Sequence, residues 1–384
     1  MKYVYTTLIL LFTVLSVVVA QEKENFWDKV KGTLSTEIKI GTYTFKDGAV
    51  YTGEVKQRKP NGKGKTVFKN GDVYEGEYKK GKRHGEGVYY FADGEKYDGS
   101  WFQDQQHGRG TFYFVNNNRY TGLWYQDYQH GQGIMYYHNG DVYEGNWAYD
   151  MRDGHGTYTW QNGAKYTGNW VKDKKNGRGT MTWDDGCRYE GQWVDDVRSG
   201  KGTFEYSHGD KYIGEWVNDV QHGKGIYIFS TGDRYEGDYL NGERTGAGIA
   251  YFSNGDKYVG NFQNGVQEGQ GIFTWSDGTV YEGSWKNNMR SGKGTYKNKA
   301  GDVYTGEWKD NEPNGQGTLV LSNGTTYKGG FANGLKHGSG IEEDKEGKRF
   351  EGSYTEGKRD GQFIEKDRFG RVLRQGRYQS GILE

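Results

Sequence analysis

The 384 residues include 65 Gly and 2 Pro, 16% are aromatic and only 33% are hydrophobic, too little apolar material to fill the two or three compact domains that the length suggests. Disorder is excluded by 33 Tyr, 17 Phe and 12 Trp, since disordered chains are poor in aromatics. Lys plus Arg and Asp plus Glu both number 51, so no long-range field favours nucleic acid, and Cys187 alone can form neither an intrachain disulfide nor a thiolate metal cluster.

In chain order the first element is a leader. Met1-Lys2 is a short basic start, Leu8 to Val19 is an apolar run, and Val18-Val19-Ala20 offers modest residues before Gln21. This is the layout of a secretory signal peptide cleaved after Ala20; the alternative is an uncleaved anchor, because Tyr3 to Ala20 is just long enough to span a bilayer. Either way the rest would face the secretory lumen or the outside, and a sequon at Asn323-Gly324-Thr325 is compatible with N-glycosylation of Asn323 there. Residues 21–40 are a linker or cap, with Phe26 and Trp27 as candidates to cover the first edge of the region beyond residue 40.

From residue 41 to 370 the chain repeats. Tyr51, Tyr74, Tyr97, Tyr120, Tyr143, Tyr166, Tyr189, Tyr212, Tyr235, Tyr258, Tyr281, Tyr304, Tyr327 and Phe350 stand 23 apart without insertion or deletion. Gly follows two residues later and an aromatic two after that, Val55 being the exception, and Gly-x-Gly comes eleven and thirteen after the Tyr. In Gly94 to Phe114 both halves alternate. Tyr97, Gly99 and Trp101 share one face of a strand, with Asp98 and Ser100 on the other; Gly108, Gly110, Phe112 and Phe114 share a face of the next. Antiparallel pairing therefore lays large rings beside glycines that leave them room.

Turn chemistry supports hairpins. Asp93-Gly94, Asn139-Gly140, Asn162-Gly163, Asn254-Gly255, Asp277-Gly278 and Asn323-Gly324 are favoured pairs for two-residue primed turns. After the Trp comes a loop of five residues, in which Asp104, Asp127, Asp150, Asp173, Asp196 and Asp219 recur and give way later to Gly or Asn. These are residues that tolerate the left-handed backbone, so the column reads as geometry and not as acid chemistry.

Tyr-x-Gly-x-Trp followed by Gly-x-Gly at a 23-residue period resembles the MORN (membrane occupation and recognition nexus) repeat family, in fourteen units over most of the chain. The resemblance implies an all-β fold: an elongated single-layer antiparallel meander of about 14 stacked hairpins, twisted and curved, with an aromatic-lined groove. Stacked hairpins advance roughly 9–10 Å each, for about 130 Å in all before curvature. Glu342, Asp344, Glu365 and Asp367 stand where earlier units have rings, as a polar cap would, and residues 371–384 are left as a tail.

His84, His107, His130, His222 and His337 precede Gly-x-Gly, but equivalent residues about 10 Å apart cannot share an ion, so no metal is expected. Cys187 reads as an inert thiol. Glu75, Glu144, Glu190, Glu236 and Glu282 read as ion-pair partners on a wet face. No nucleophile elbow, phosphate loop or zinc-protease helix is present, so neither catalysis nor a cofactor is expected.

The remaining candidate is the aromatic stripe of Trp101, Trp124, Trp147, Trp170, Trp193, Trp216, Trp285 and Trp308 with Tyr97, Tyr120, Tyr143, Tyr166, Tyr189 and Tyr212. A single sheet has no second layer, so part of this stripe is expected to stay open to partners. The reading is a non-catalytic scaffold or protein-binding module of the secretory or membrane system. Binding to a phospholipid surface, which the family name implies, or to extracellular carbohydrate are the alternatives, and the open sheet ends favour a homodimer.

Overall fold

The computed structural model describes residues 15, 16, 18–23 and 37–384. Most of the expected leader, together with Phe26 and Trp27, lies outside them; residues 15, 16 and 18–23 are helical. Among the described residues no helix is long and apolar enough to cross a membrane. From Lys39 onward the chain is strand and tight turn, 31 strands in all, so the all-β hairpin meander is what forms.

Two units divide the chain, Met1–Lys174 and Lys175–Glu384. In the first, strands from Lys39–Thr44 to Lys165–Val171 pair antiparallel, each with the next in sequence. The second repeats the pattern to the last short strand, Ile382–Leu383. Strand Val372–Gln379 pairs with Lys358–Lys366, so residues 371–384 extend the sheet and are not a tail.

One repeat shows why these residues build these elements. Strands Lys96–Phe102 and Gln105–Tyr113 are joined by Gln103-Asp104 alone, with φ of 52° and 75°. Two consecutive positive φ values make this a two-residue primed turn, whose twist matches that of the strands. The five-residue loop expected here is thus a two-residue one.

At Asp93-Gly94 the expectation is also corrected. Phe91 N–H donates to Glu95 O and Gly94 N–H to Phe91 O, and of the pair only Gly94 has positive φ, 99°. That is a three-residue loop, an ordinary turn closed by a left-handed glycine. An Asp-Gly pair satisfies either loop; the hydrogen-bonded span decides, and only the paired strands define it.

Between the strands the register slips. Gly99 faces Gly110 and Trp101 faces Gln106, so Ser100 stands against His107, Gly108 and Arg109. Gly108 takes φ 78° in this bulge and does not line the face of Gly110 and Phe112. The bulge turns the two halves of the strand relative to each other.

The core lies on one face. Tyr97 is fully buried, and its hydroxyl donates to Ser100 O at 3.0 Å. Trp101 meets Tyr97 edge to face at 5.2 Å and Tyr74 of the preceding repeat at 5.3 Å, while its indole N–H donates to Gly87 O at 3.1 Å. The same Tyr–Trp–Tyr contacts recur through both units. Each buried ring contributes about 2–3 kcal/mol and each edge-to-face pair about 1 kcal/mol more, so a single sheet holds without a second layer.

The polar positions near the C-terminus are engaged in ion pairs and turns. Glu365 is 4% exposed and accepts from Arg374 at 2.7 and 2.9 Å, with Lys348 at 3.2 Å. Glu342 pairs with Lys336 and Arg359. Having lost their rings, these repeats fill the space with ion pairs. Asp344 and Asp367 brace their own turns through backbone N–H groups.

Candidate functional site

The fourteen rings of the candidate groove, part of which was expected to stay open, are all core residues. All six tyrosines, Tyr97, Tyr120, Tyr143, Tyr166, Tyr189 and Tyr212, are fully buried, and Trp124 and Trp285, the most exposed of the eight tryptophans, reach only 6%. Trp101, Trp147, Trp170, Trp193, Trp216 and Trp308 are buried deeper. The expectation of an open stripe of these rings is therefore corrected. What closes the face is a column nine residues after each Tyr that the sequence pattern alone did not single out.

Arg152 shows how that column works. Its guanidinium carbon sits 4.3 Å from the Trp170 ring centroid, its Nε donates to Asp173 Oδ1 at 3.0 Å, and its Nη2 donates to Asp173 O at 2.9 Å. Arg83 lies likewise over Trp101, Arg198 over Trp216 and Arg290 over Trp308, at 4.2, 4.4 and 4.6 Å. A cation over the indole face is attracted by the ring quadrupole, and the arginine stem covers apolar surface that would otherwise meet water. Where Gln106 and Gln129 replace arginine, a cleft of about 510 Å³ opens beside Phe112, Phe114, Met135 and Tyr137.

The turns at both edges stitch neighbouring repeats together. On the primed-turn edge Asp127 Oδ1 accepts from Gln106 N–H, Asp150 from Gln129 N–H and Asp219 from Arg198 N–H, at 2.7 to 2.9 Å. The aspartate column thus has a second role besides backbone geometry. On the opposite edge Asp141 accepts from Gln161 N–H and the Tyr158 hydroxyl; burial alone would raise its pKa, but these donors hold the carboxyl below its ordinary value.

Open aromatic surface does exist, on the primed-turn edge of the first unit. Phe102, Tyr125, Tyr128 and Tyr149 are 41 to 55% exposed. Imidazoles interleave with them: His84 with Phe102, Phe102 with His107, His107 with Tyr125, Tyr125 with His130 and His130 with Tyr149, at centroid distances of 5.3 to 5.6 Å. Three of the five histidines before Gly-x-Gly, His84, His107 and His130, are thus part of a tiled strip and not isolated loop residues. The signal was present in Phe102, Tyr125 and Tyr149 at neighbouring positions of successive repeats.

Other candidates have plain surroundings. Among the described residues no three His, Cys, Asp or Glu side chains could together hold a metal ion. Cys187 is free and half-buried, and its N–H donates to Asp185. Glu75 pairs with Lys65 across strands, and Glu190 and Glu236 pair with Arg188 and Arg234 on their own strands. Asn323 sits in an exposed turn, accepting from Thr325 N–H at 2.9 Å.

Thirteen consecutive segments, from residues 51–73 to 327–349, match the MORN repeat family; the fourteenth unit, from Phe350, lies beyond the last match. No curated protein matches the chain. Solved structures with some likeness include the TCP domain of Drosophila melanogaster SAS-4 (dCPAP) in complex with a proline-rich motif of Ana2 (dSTIL), at 16% identity over 41% of this chain and 85% of that one, TM-score 0.27. Others are the TCP10 domain of Danio rerio CPAP, 12% identical over 57% and 93%, TM-score 0.21, and an inactive virginiamycin B lyase from Staphylococcus aureus with quinupristin, 11% identical over 80% and 97%, TM-score 0.13.

Proposed function

The chain belongs to the MORN-repeat family, and from that premise we propose that it is a non-catalytic scaffold that binds other proteins within the secretory or membrane system. One observation carries the reading. Each unit spends its Tyr, Trp and glycines on its own core, while the outward positions change from unit to unit, as Phe102, Tyr125, Val171 and Lys286 do five residues after their tyrosines. A long surface of varied chemistry on a uniform frame is what recognition along an array requires. Entry into the secretory system rests on the leader before Gln21 and on the exposed sequon turn at Asn323.

The test is the full chain expressed in secreting animal cells, with its mature N-terminus sequenced and its neighbours crosslinked. A start at Gln21, a glycan lost in Asn323→Gln and crosslinks from the outward columns to a defined protein are expected. An unglycosylated chain that keeps its leader in the cytosol overturns the secretory half. A chain that crosslinks to no protein, or that turns over a substrate, overturns the scaffold half.

A further inference from the structure

The primed turns of the first unit form one continuous row. Gly81 N–H donates to Pro60 O, Asp104 to Arg83 O, Asp127 to Gln106 O and Asp150 to Gln129 O, so the turns at residues 57–58, 80–81, 103–104, 126–127 and 149–150 follow one another along a single edge.

This row is polar in sequence. Its first two turns carry Lys56, Arg58, Lys59, Lys79, Lys80 and Lys82, none with an ion-pair partner among the described residues. Glu54 and Glu77, packed at Gly62 and Gly85, reduce the six charges to a net +4. The next three turns carry the exposed strip of Phe102, Tyr125, Tyr128 and Tyr149 with its imidazoles.

We propose that this edge is the docking surface for an extended, proline-spaced segment of a partner protein whose acidic end meets the first two turns. The inference rests on the protein-binding reading above. Charge complementarity sets the acidic end, because six cations without partners attract carboxylates at short range although the whole chain is neutral. Pitch sets the rest: successive turns lie about 9.5 Å apart, and a polyproline II strand completes a turn every ~9.3 Å. One proline face therefore meets each aromatic turn in step, and aromatic-lined surfaces are what such ligands dock on.

A planar anionic surface fits less well. Laid along this edge it would also face Asp127 and Asp150, which are exposed on the aromatic turns. A single-file chain can place its acids on the lysines and its prolines on the rings.

The five turns span four steps, about the length of a thirteen-residue polyproline II strand. The probe is a fluorescein-labelled pool of such peptides, four Glu followed by residues with Pro at every third place, titrated by anisotropy with the full chain. Binding is expected to weaken at least about tenfold in Lys79→Glu/Lys80→Glu/Lys82→Glu and in Phe102→Ser/Tyr125→Ser/Tyr149→Ser. All six residues are exposed, so circular dichroism should be unchanged. Lys286→Glu/Lys309→Glu in the second unit should have no effect, and a pool with Gly for Pro should bind weakly.

Equal binding to the wild type and to both edge variants overturns the edge and leaves protein binding standing. A pool that fails to bind the wild type overturns the proline-spaced ligand, and then the crosslinking test above decides the broader reading. Phosphatidylserine vesicles that sediment the wild type but not the lysine variant, and displace the peptides, overturn the peptide as occupant.

Discussion

The ring of Tyr97 lies across Gly110 so closely that a Cβ on the glycine would sit 2.3 Å from the phenolic oxygen. Gly99, directly opposite Gly110, leaves no space to retreat. Gly110→Ala is therefore expected to destabilise its hairpin by about 1–3 kcal/mol through overpacking, and Tyr97→Phe by about 1 kcal/mol through the lost bond to Ser100. Because repeat arrays are held by neighbouring interfaces, the loss should appear as faster hydrogen exchange in strands Lys96–Phe102 and Gln105–Tyr113. Unchanged exchange in Gly110→Ala would contradict the ring-over-glycine core.

Arg152 covers Trp170 and is itself held by Asp173. Arg152→Met keeps the apolar stem but removes the cation over the ring, an expected loss of about 0.5–2 kcal/mol. The Asp173 side chain is 45% exposed, so a double-mutant cycle with Asp173→Asn should find coupling below about 1 kcal/mol. Urea unfolding followed by tryptophan fluorescence measures both; zero effect of Arg152→Met would show that the stem alone closes the face.

Alkali should open the core. Burial pushes Tyr189, Tyr235, Tyr281, Tyr304 and Tyr327 up to about 12, above the ordinary value of 10. Groups with a raised folded pKa contribute stability that is complete below pH 10 and is lost as pH rises through 12. Phenolate absorbance from these rings and loss of the β circular dichroism signal should develop together across that window. Ionisation of the core tyrosines near pH 10 with the sheet intact would show that water reaches them.

Acid should act at the C-terminal repeats. Arg374, against the cost of burial and with help from Lys348, draws Glu365 down to about 2. A depressed folded pKa contributes stability that is present above the ordinary 4.5 and is lost as pH falls towards 2. Hydrogen exchange in Lys358–Lys366 and Val372–Gln379 should quicken across that interval in the wild type, and Glu365→Gln should already exchange fast at neutral pH with little further change. Identical profiles would remove the ion pairs as the closing device.

Several primed turns hold a residue poorly suited to the left-handed backbone, and the turn at Glu356 is one of them. Glu356 holds φ 47° before Gly357, where the equivalent turns at Asn241, Asn264 and Asn333 have Asn-Gly. Glu356→Asn is expected to stabilise this hairpin by about 0.5–1 kcal/mol, because Asn accepts the left-handed backbone more readily. Denaturant unfolding of the C-terminal repeats measures it, and a loss of stability would mean the Glu356 side chain has an outward contact of its own.

Much of the fold was legible because it is periodic. The 23-residue spacing of the tyrosines and the glycines two residues on set strand pairing, and each glycine's reason is its ring. The candidate site was less so: rings such as Trp124 and Tyr120 read as the sheet's packing layer, but the part of the stripe expected to stay open is covered. The two kinds of loop were also interchanged, since Asp93-Gly94 and Gln103-Asp104 both contain residues that tolerate positive φ.

Residue order alone determined the hairpin period, the ring-on-glycine core and the all-β architecture, because each arises from groups within one unit that covalent spacing puts in register. Tertiary structure decided which surfaces are open. Arg152 closes the face over Trp170, eighteen residues on, and Asp173 of the next turn holds it there; His107 joins Phe102 to Tyr125 across two repeats. Exposure depends on neighbours brought in by stacking, and stacking places side chains by distance in space, not by distance along the chain.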